Sequence, residues 1–146
     1  MDYDNIEASK RKSLLPKTHF VSGEVYTNKI ILEKEKENIF FKKWHFLCHE
    51  SEILSIYDYR TVTFLGQPLI IIRGGDGKVR SFLNVCSHRG AKIIHKPSGN
   101  SKKLTCFYHL WTYDDKGACV NIPREEGYIN ANIDKSICGL TEIKTE

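Results

Sequence analysis

The chain of 146 residues has little that would take it into or across a membrane. Its longest purely apolar run is Leu69-Ile70-Ile71-Ile72, against the roughly 20 residues that a spanning helix needs. The opening Met-Asp-Tyr-Asp has neither the basic stretch nor the apolar stretch of a secretory signal, so a cytoplasmic location is expected. Four prolines and ten glycines are too few for a collagen-like or disordered chain. Internal repeats and low-complexity segments are absent. The net charge of +4 includes no long basic block. Lys10-Arg11-Lys12 and Lys102-Lys103 read as solvated surface, which argues against nucleic acid as a partner. The cysteines number five, an odd count that cannot pair completely. Cys48, Cys119 and Cys138 are expected to pack as small apolar side chains in a reducing compartment.

What is present fits one domain. Residues 1–23 show no periodicity and read as an arm. Thr27 or Asn28 can cap a helix over Lys29 to Phe41, with Ile31, Leu32, Ile39 and Phe40 as its buried side. Beyond it the pattern turns to short strands. Trp44–Cys48, Tyr59–Leu65, Gln67–Arg73 and Val79–Val85 are candidates, and Gly74-Gly75-Asp76-Gly77 makes a hairpin turn between the last two. Lys92–Ser101 reads as loop, with Leu104-Thr105 after it. Trp111–Tyr113 and Ala118–Ile122 flank a second turn at Asp114-Asp115-Lys116-Gly117, and Gly139–Ile143 is a candidate closing strand. Many short antiparallel strands and one N-terminal helix predict an all-β barrel or sandwich.

Within the strand-rich part stand two Cys/His pairs, Cys86-Ser87-His88 and Cys106-Phe107-Tyr108-His109, separated by 17 residues. Each of two loops thus supplies one thiolate and one imidazole. A [2Fe–2S] cluster of the Rieske kind needs this set, with two Cys on one iron and two His on the other. A structural zinc module also uses Cys₂His₂, but usually with C-x₂₋₄-C and H-x₃₋₅-H spacings that these pairs do not follow. Four scattered side chains that ligate nothing are the remaining alternative.

The donor set has an electrostatic consequence. Neutral imidazoles leave the diferric core uncharged, where four thiolates would leave a dianion. An electron enters a neutral core at less Coulomb cost, so the potential rises. Histidine also keeps one ring nitrogen that can bond or titrate.

The run Phe82-Leu83-Asn84-Val85-Cys86-Ser87-His88-Arg89-Gly90-Ala91, followed by Cys106-Phe107-Tyr108-His109-Leu110-Trp111-Thr112-Tyr113, resembles the N-terminal Rieske domain of aromatic ring-hydroxylating oxygenase (dioxygenase) α subunits. The likeness extends upstream through Tyr26-Thr27 and Trp44-His45-Phe46-Leu47-Cys48-His49-Glu50. It implies a Rieske-type antiparallel β-barrel or sandwich over residues 24–146, with a small cluster-binding subdomain at about 84–113. It implies a [2Fe–2S] cofactor on Cys86, His88, Cys106 and His109, and an oxidoreductase component that passes single electrons. Rieske proteins of cytochrome bc complexes carry a further cysteine pair where this chain has Ala91 and Tyr108, so that subclass is excluded. The serine that in those proteins bonds a bridging sulfide corresponds to Trp111, while the corresponding tyrosine remains as Tyr113. Fewer hydroxyl donors predict a potential near the lower end of the roughly −150 to +300 mV Rieske range. Leu110 stands where the family often has glycine. Arg89, Trp111 and Tyr113 are candidates for contact with the cluster's surroundings or with a partner. His19, His45, His49 and His95 lack partners at ligand spacing and read as structural or solvent-facing.

By the same resemblance, electrons come from a ferredoxin or flavin reductase and leave for a mononuclear Fe(II) site, usually in the neighbouring subunit of a homotrimer. That site needs two His and a carboxylate. The last histidine here is His109, so the catalytic mononuclear-iron domain is expected to be absent, and this chain alone is not expected to hydroxylate anything. A stand-alone Rieske-type ferredoxin is the alternative. The segment Glu24–Leu47 speaks for the α subunit, because such ferredoxins usually begin close to their first strand. Both His88 and His109 should then present one ring edge outward.

Overall fold

A computed structural model describes residues 21–131 and 133–146, and the expected arm and His19 lie mostly or wholly outside them. The chain divides into two compact units, residues 1–45 and 46–146.

In the first unit, a short turn of helix, α1 (Glu24–Thr27), precedes α2 (Lys29–Asn38). Asn28 is the N-cap, its side-chain oxygen accepting from the Ile30 N–H at 2.9 Å, which satisfies one of the free donors of the first turn. The helix stops at Asn38, earlier than expected, and a 3₁₀ turn follows at Phe40–Lys42. The expected buried side is not buried: Leu32 is 42% and Ile39 49% exposed, and no residue of α2 is buried. So short a unit has too little chain to wrap an apolar stripe.

The second unit holds two antiparallel sheets. The larger runs β4-β1-β2-β3-β8, from β1 (Asp58–Phe64), β2 (Gln67–Arg73), β3 (Val79–Leu83), β4 (Ser98–Asn100) and β8 (Glu142–Ile143). The smaller runs β5-β6-β7, from β5 (Leu104–Thr105), β6 (Thr112–Tyr113) and β7 (Cys119–Asn121). Leu69, Ile70, Ile71 and Ile72 of β2 are all buried. A central strand covered on both faces accounts for that unbroken apolar run. Two expectations need correction. Trp44–Cys48 is not a strand but irregular chain. Its aromatic residues suit a pleated surface, yet among the described residues no strand pairs with them. Lys92–Ser101 is not all loop, because Ser98–Asn100 adds to the edge of β1 with Tyr59 opposite Gly99.

The turns do what their residues require. In the β2–β3 hairpin, Gly77 has φ 77°, and the Arg80 guanidinium grips both oxygens of Asp76 at 2.9 and 2.7 Å. Gly75 N–H donates to the Asp115 carboxylate at 2.8 Å, tying this turn to the β6–β7 turn of the other sheet. There Gly117 takes φ 80°, and a Cβ on it would stand 2.5 Å from Cε1 of Phe82, so that position requires glycine. The core gathers Ile70, Ile72, Phe82, Leu104, Tyr113 and Ile122 around Cys86 and Cys106. The two cysteines of the motif therefore sit on the core side of their loops.

Candidate metal centre

The two Cys/His segments fold into the same backbone loop. In the first, Cys86 N–H donates to Ala91 O (2.8 Å) and Gly90 N–H to Cys86 O (2.9 Å). In the second, Cys106 N–H donates to Trp111 O (2.9 Å) and Leu110 N–H to Cys106 O (3.0 Å). The fifth residue of each is left-handed, Gly90 at φ 71° and Leu110 at φ 59°. One loop follows β3 and the other links β5 to β6, so each sheet presents one of them. The histidines occupy different places, third in the first loop and fourth in the second.

Folding brings the predicted residues together in two pairs, the imidazoles of His88 and His109 against each other and the thiols of Cys86 and Cys106 side by side. Cys86 and Cys106 are 3% and 1% exposed, whereas both imidazoles are half-buried. The ring centroids of His88 and His109 are 4.7 Å apart at 71°. Burial pushes the Cys106 thiol up, and the Cys86 thiol beside it adds to the effect. Burial likewise holds the His88 imidazolium below its ordinary range, with His109 and Arg89 contributing.

One atom tests whether these residues suit a metal cofactor. Nδ1 of His88 is buried and has no hydrogen-bond partner. A buried polar atom left unpaired costs about 1–3 kcal/mol, and a metal bond would remove that cost. Among the described residues, no three His, Cys, Asp or Glu side chains converge on one point as a single-ion site would require. Two thiols and two imidazoles are the donor set that a dinuclear cluster with unlike ends uses.

The surroundings show what the spacing of the motif could not. Tyr113 is fully buried, with its hydroxyl 3.1 Å from Sγ of Cys86 and 2.9 Å from Oγ of Ser87, while the Ser87 N–H donates to it at 3.2 Å. Burial pushes this phenol well above its ordinary range. Ser87 Oγ donates to Cys138 O at 2.6 Å, so the Tyr113 proton is left for Oγ of Ser87 or the sulfur. Trp111 lies flat on His88, with centroids 4.7 Å apart and planes 2° from parallel. Arg89 is exposed. Asn84, fully buried, accepts from Ile93 N–H (3.0 Å) and Ile94 N–H (2.9 Å) and donates to Ile94 O (2.7 Å), bracing the first loop from behind. Tyr128 reaches Nε2 of His88 with its hydroxyl at 3.4 Å. Nothing in the sequence marked Asn84, Ser87 or Tyr128, since each acts at a distance that spacing does not encode. His45 bonds Phe40 O, His49 caps the 3₁₀ turn Glu50–Glu52, and His95 bonds Lys92 O, which leaves all three outside the centre.

A β-fold that turns two Cys/His loops toward each other defines an iron–sulfur protein of the electron-transfer kind. Comparison with known proteins narrows the class. The Rieske [2Fe-2S] domain profile matches residues 43–135. The chain is 48% identical over 130 residues to the 2-aminobenzenesulfonate 2,3-dioxygenase α subunit of Alcaligenes sp., covering 88% of this chain and 33% of that one. It is 41% identical over 141 residues to the methanesulfonate monooxygenase hydroxylase α subunit of Methylosulfonomonas methylovora, covering 90% and 34%. Among solved structures, a naphthalene 1,2-dioxygenase superposes with TM-score 0.77 at 33% identity, over 82% of this chain and 27% of that one. A quaternary ammonium Rieske monooxygenase superposes with TM-score 0.79 at 35% identity, over 84% and 33%. The chain belongs to the Rieske [2Fe-2S] family, with a domain of the kind found in ring-hydroxylating oxygenase α subunits, and its cofactor is a Rieske-type [2Fe–2S] cluster. It spans about a third of the length of the curated relatives it matches. No helix among the described residues is long and apolar enough to cross a membrane.

Proposed function

We propose that this chain is the electron-transfer portion of a Rieske oxygenase α subunit, with Cys86 and Cys106 holding one iron and His88 and His109 the other. The observation that carries the reading is the pair of matching loops with buried thiols, half-buried imidazoles and the unpartnered Nδ1 of His88. When bound, such a cluster takes up and passes on one electron at a time. The residues of the chain do the rest. The core-facing cysteines keep water from one end, and the half-buried imidazoles at the other give electrons a short route to the surface. Trp111 shields the His88 face. Tyr113 offers its hydroxyl to a ligand sulfur, and in this reading the exposed Arg89 meets a carboxylate of a partner.

The donor in this reading is a ferredoxin or flavin reductase, and the acceptor a mononuclear Fe(II) site in the neighbouring subunit of a homotrimer. Inter-subunit electron transfer is described for the quaternary ammonium Rieske monooxygenase, which supports that arrangement. The unpaired thiols Cys48, Cys119 and Cys138 suit a reducing cytoplasm. Two relatives are named for sulfonates, so sulfonates are the first substrates to offer the whole oxygenase.

Two measurements test the proposal. Iron and acid-labile sulfide on the purified chain should come to two of each, with loss of both in Cys86→Ser and His109→Ala, whereas one zinc in a colourless protein would overturn it. Intact mass of the natural gene product should give a subunit about three times this length, as the one-third coverage of the relatives implies. A natural product of this length would favour a stand-alone ferredoxin.

A further inference from the structure

We propose that Tyr128 is a positioning residue for the cluster, bracing His88 through the outer nitrogen of its ring; this rests on the reading of His88 as a ligand. Tyr128 lies in the 3₁₀ segment Glu125–Ala131, far along the chain from either ligand loop. Its hydroxyl is 3.4 Å from Nε2 of His88, at the long end of hydrogen-bonding distance. Its ring stands edge-on to both His88 (6.2 Å, 85°) and Trp111 (6.3 Å, 83°). Trp111 is stacked on the imidazole within 2° of parallel.

The two contacts fix different freedoms. Stacking on Trp111 sets the plane of the imidazole but does not decide which edge faces inward. A polar partner on Nε2 does decide it, because the ring then turns Nδ1, the buried atom without a partner, away from solvent. A neutral imidazole that gives its Nδ1 lone pair to iron carries its proton on Nε2. That N–H donates to the phenolic oxygen of Tyr128. An acceptor at this position fixes the tautomer and makes the ring a stronger electron donor to the metal. Among the described residues no hydroxyl serves His109 in this way, and its ring packs on Tyr108 at 3.8 Å instead. Among the described residues the two imidazoles are therefore unequal: His88 has a hydroxyl partner on its ring and His109 has none.

The test uses the full chain carrying its cluster and Tyr128→Phe, which keeps the aromatic ring and removes only the hydroxyl. Midpoint potential at one fixed pH is the deciding readout, with iron content and the rate of iron loss to a chelator beside it. The expected result is wild-type iron content, a potential shifted upward because His88 donates less, and iron lost on the order of tenfold faster. A loaded variant with unchanged or lowered potential overturns the role of Tyr128 and leaves the ligand assignment standing. Wild-type chain that holds no iron and sulfide overturns the ligand reading, and the inference with it. Should Tyr128→Phe fail to load, circular dichroism of the apo chain decides. A native spectrum supports the proposal, since only the brace is gone; a collapsed one overturns it, since Tyr128 would then serve folding.

Discussion

Leu110 occupies, in the second ligand loop, the left-handed backbone position that Gly90 holds in the first, at φ 59° against 71°. The hydrogen bonds closing the two loops match residue for residue, so the position is set by the loop and not by its occupant. A leucine there carries the steric cost of a Cβ near the following carbonyl, about 1–2 kcal/mol. Glycine would remove that cost but add unfolded-state entropy of about 0.5–1 kcal/mol.

Leu110→Gly should therefore stabilise the chain by about 0.5–1 kcal/mol. Gly90→Ala should cost about 1 kcal/mol, from conformation alone, because a Cβ on Gly90 would meet nothing within 4 Å. Urea unfolding of both variants checks the pair. Opposite signs are the expected outcome; a Leu110→Gly that destabilises would mean that the exposed leucine side chain is held by contacts that outweigh the backbone.

Much of this was legible in the sequence, for identifiable reasons. The two Cys/His pairs and the hairpin turns are local patterns. Asp76 and Gly77 sit where their turn needs them, and Cys86 and His88 are close in the chain because one loop must hold both. What escaped depends on partners elsewhere. Trp44–Cys48 has strand-like composition, but among the described residues no strand runs beside it. Ser98–Asn100 has little β propensity, but the free edge of β1 accepts its backbone, and a Cβ on Gly99 would stand 2.6 Å from the Tyr59 hydroxyl. Tyr113 could be named from resemblance, yet its link through Ser87 to Cys138 O required the fold.

That link makes Tyr113→Phe informative. The hydroxyl lies 3.1 Å from Sγ of Cys86, and a donor at a ligand sulfur stabilises the reduced, more negative state. One hydrogen bond is worth about 1 kcal/mol, which for a one-electron couple is about 40 mV. The midpoint potential should fall by about that much, with the cluster retained, as voltammetry would record. An unchanged potential would mean that the phenol spends its proton on Ser87 and not on sulfur.

Asn84 should be among the least replaceable residues outside the two Cys/His pairs. Its side chain satisfies two backbone N–H groups and one carbonyl in a fully buried position. Asn84→Leu, close in volume, leaves those groups unpaired at about 1–3 kcal/mol each, offset in part by relaxation. A net loss of about 3 kcal/mol is expected, read as a lower urea midpoint. Loss below about 1 kcal/mol would show that Ile93 and Ile94 find other partners.

The Asp76–Arg80 pair gives the β2–β3 turn a defined dependence on pH. Bonds from the Arg80 guanidinium hold the Asp76 carboxyl well below its ordinary range, with Lys78 N–H helping. A carboxyl whose folded pKa lies below its unfolded value contributes stability above the unfolded pKa of about 4 and loses it as pH falls toward the folded value. Asp76→Asn should thus be less stable than wild type at pH 7, and the difference should close progressively below about pH 4. Solvent exposure of the pair keeps the effect modest and sensitive to salt. Thermal unfolding of both chains from pH 7 to pH 2 decides it. Parallel curves over that range would mean that the carboxylate matters only through its bond to the Lys78 amide, which asparagine can keep, and that the guanidinium grip adds nothing to the turn.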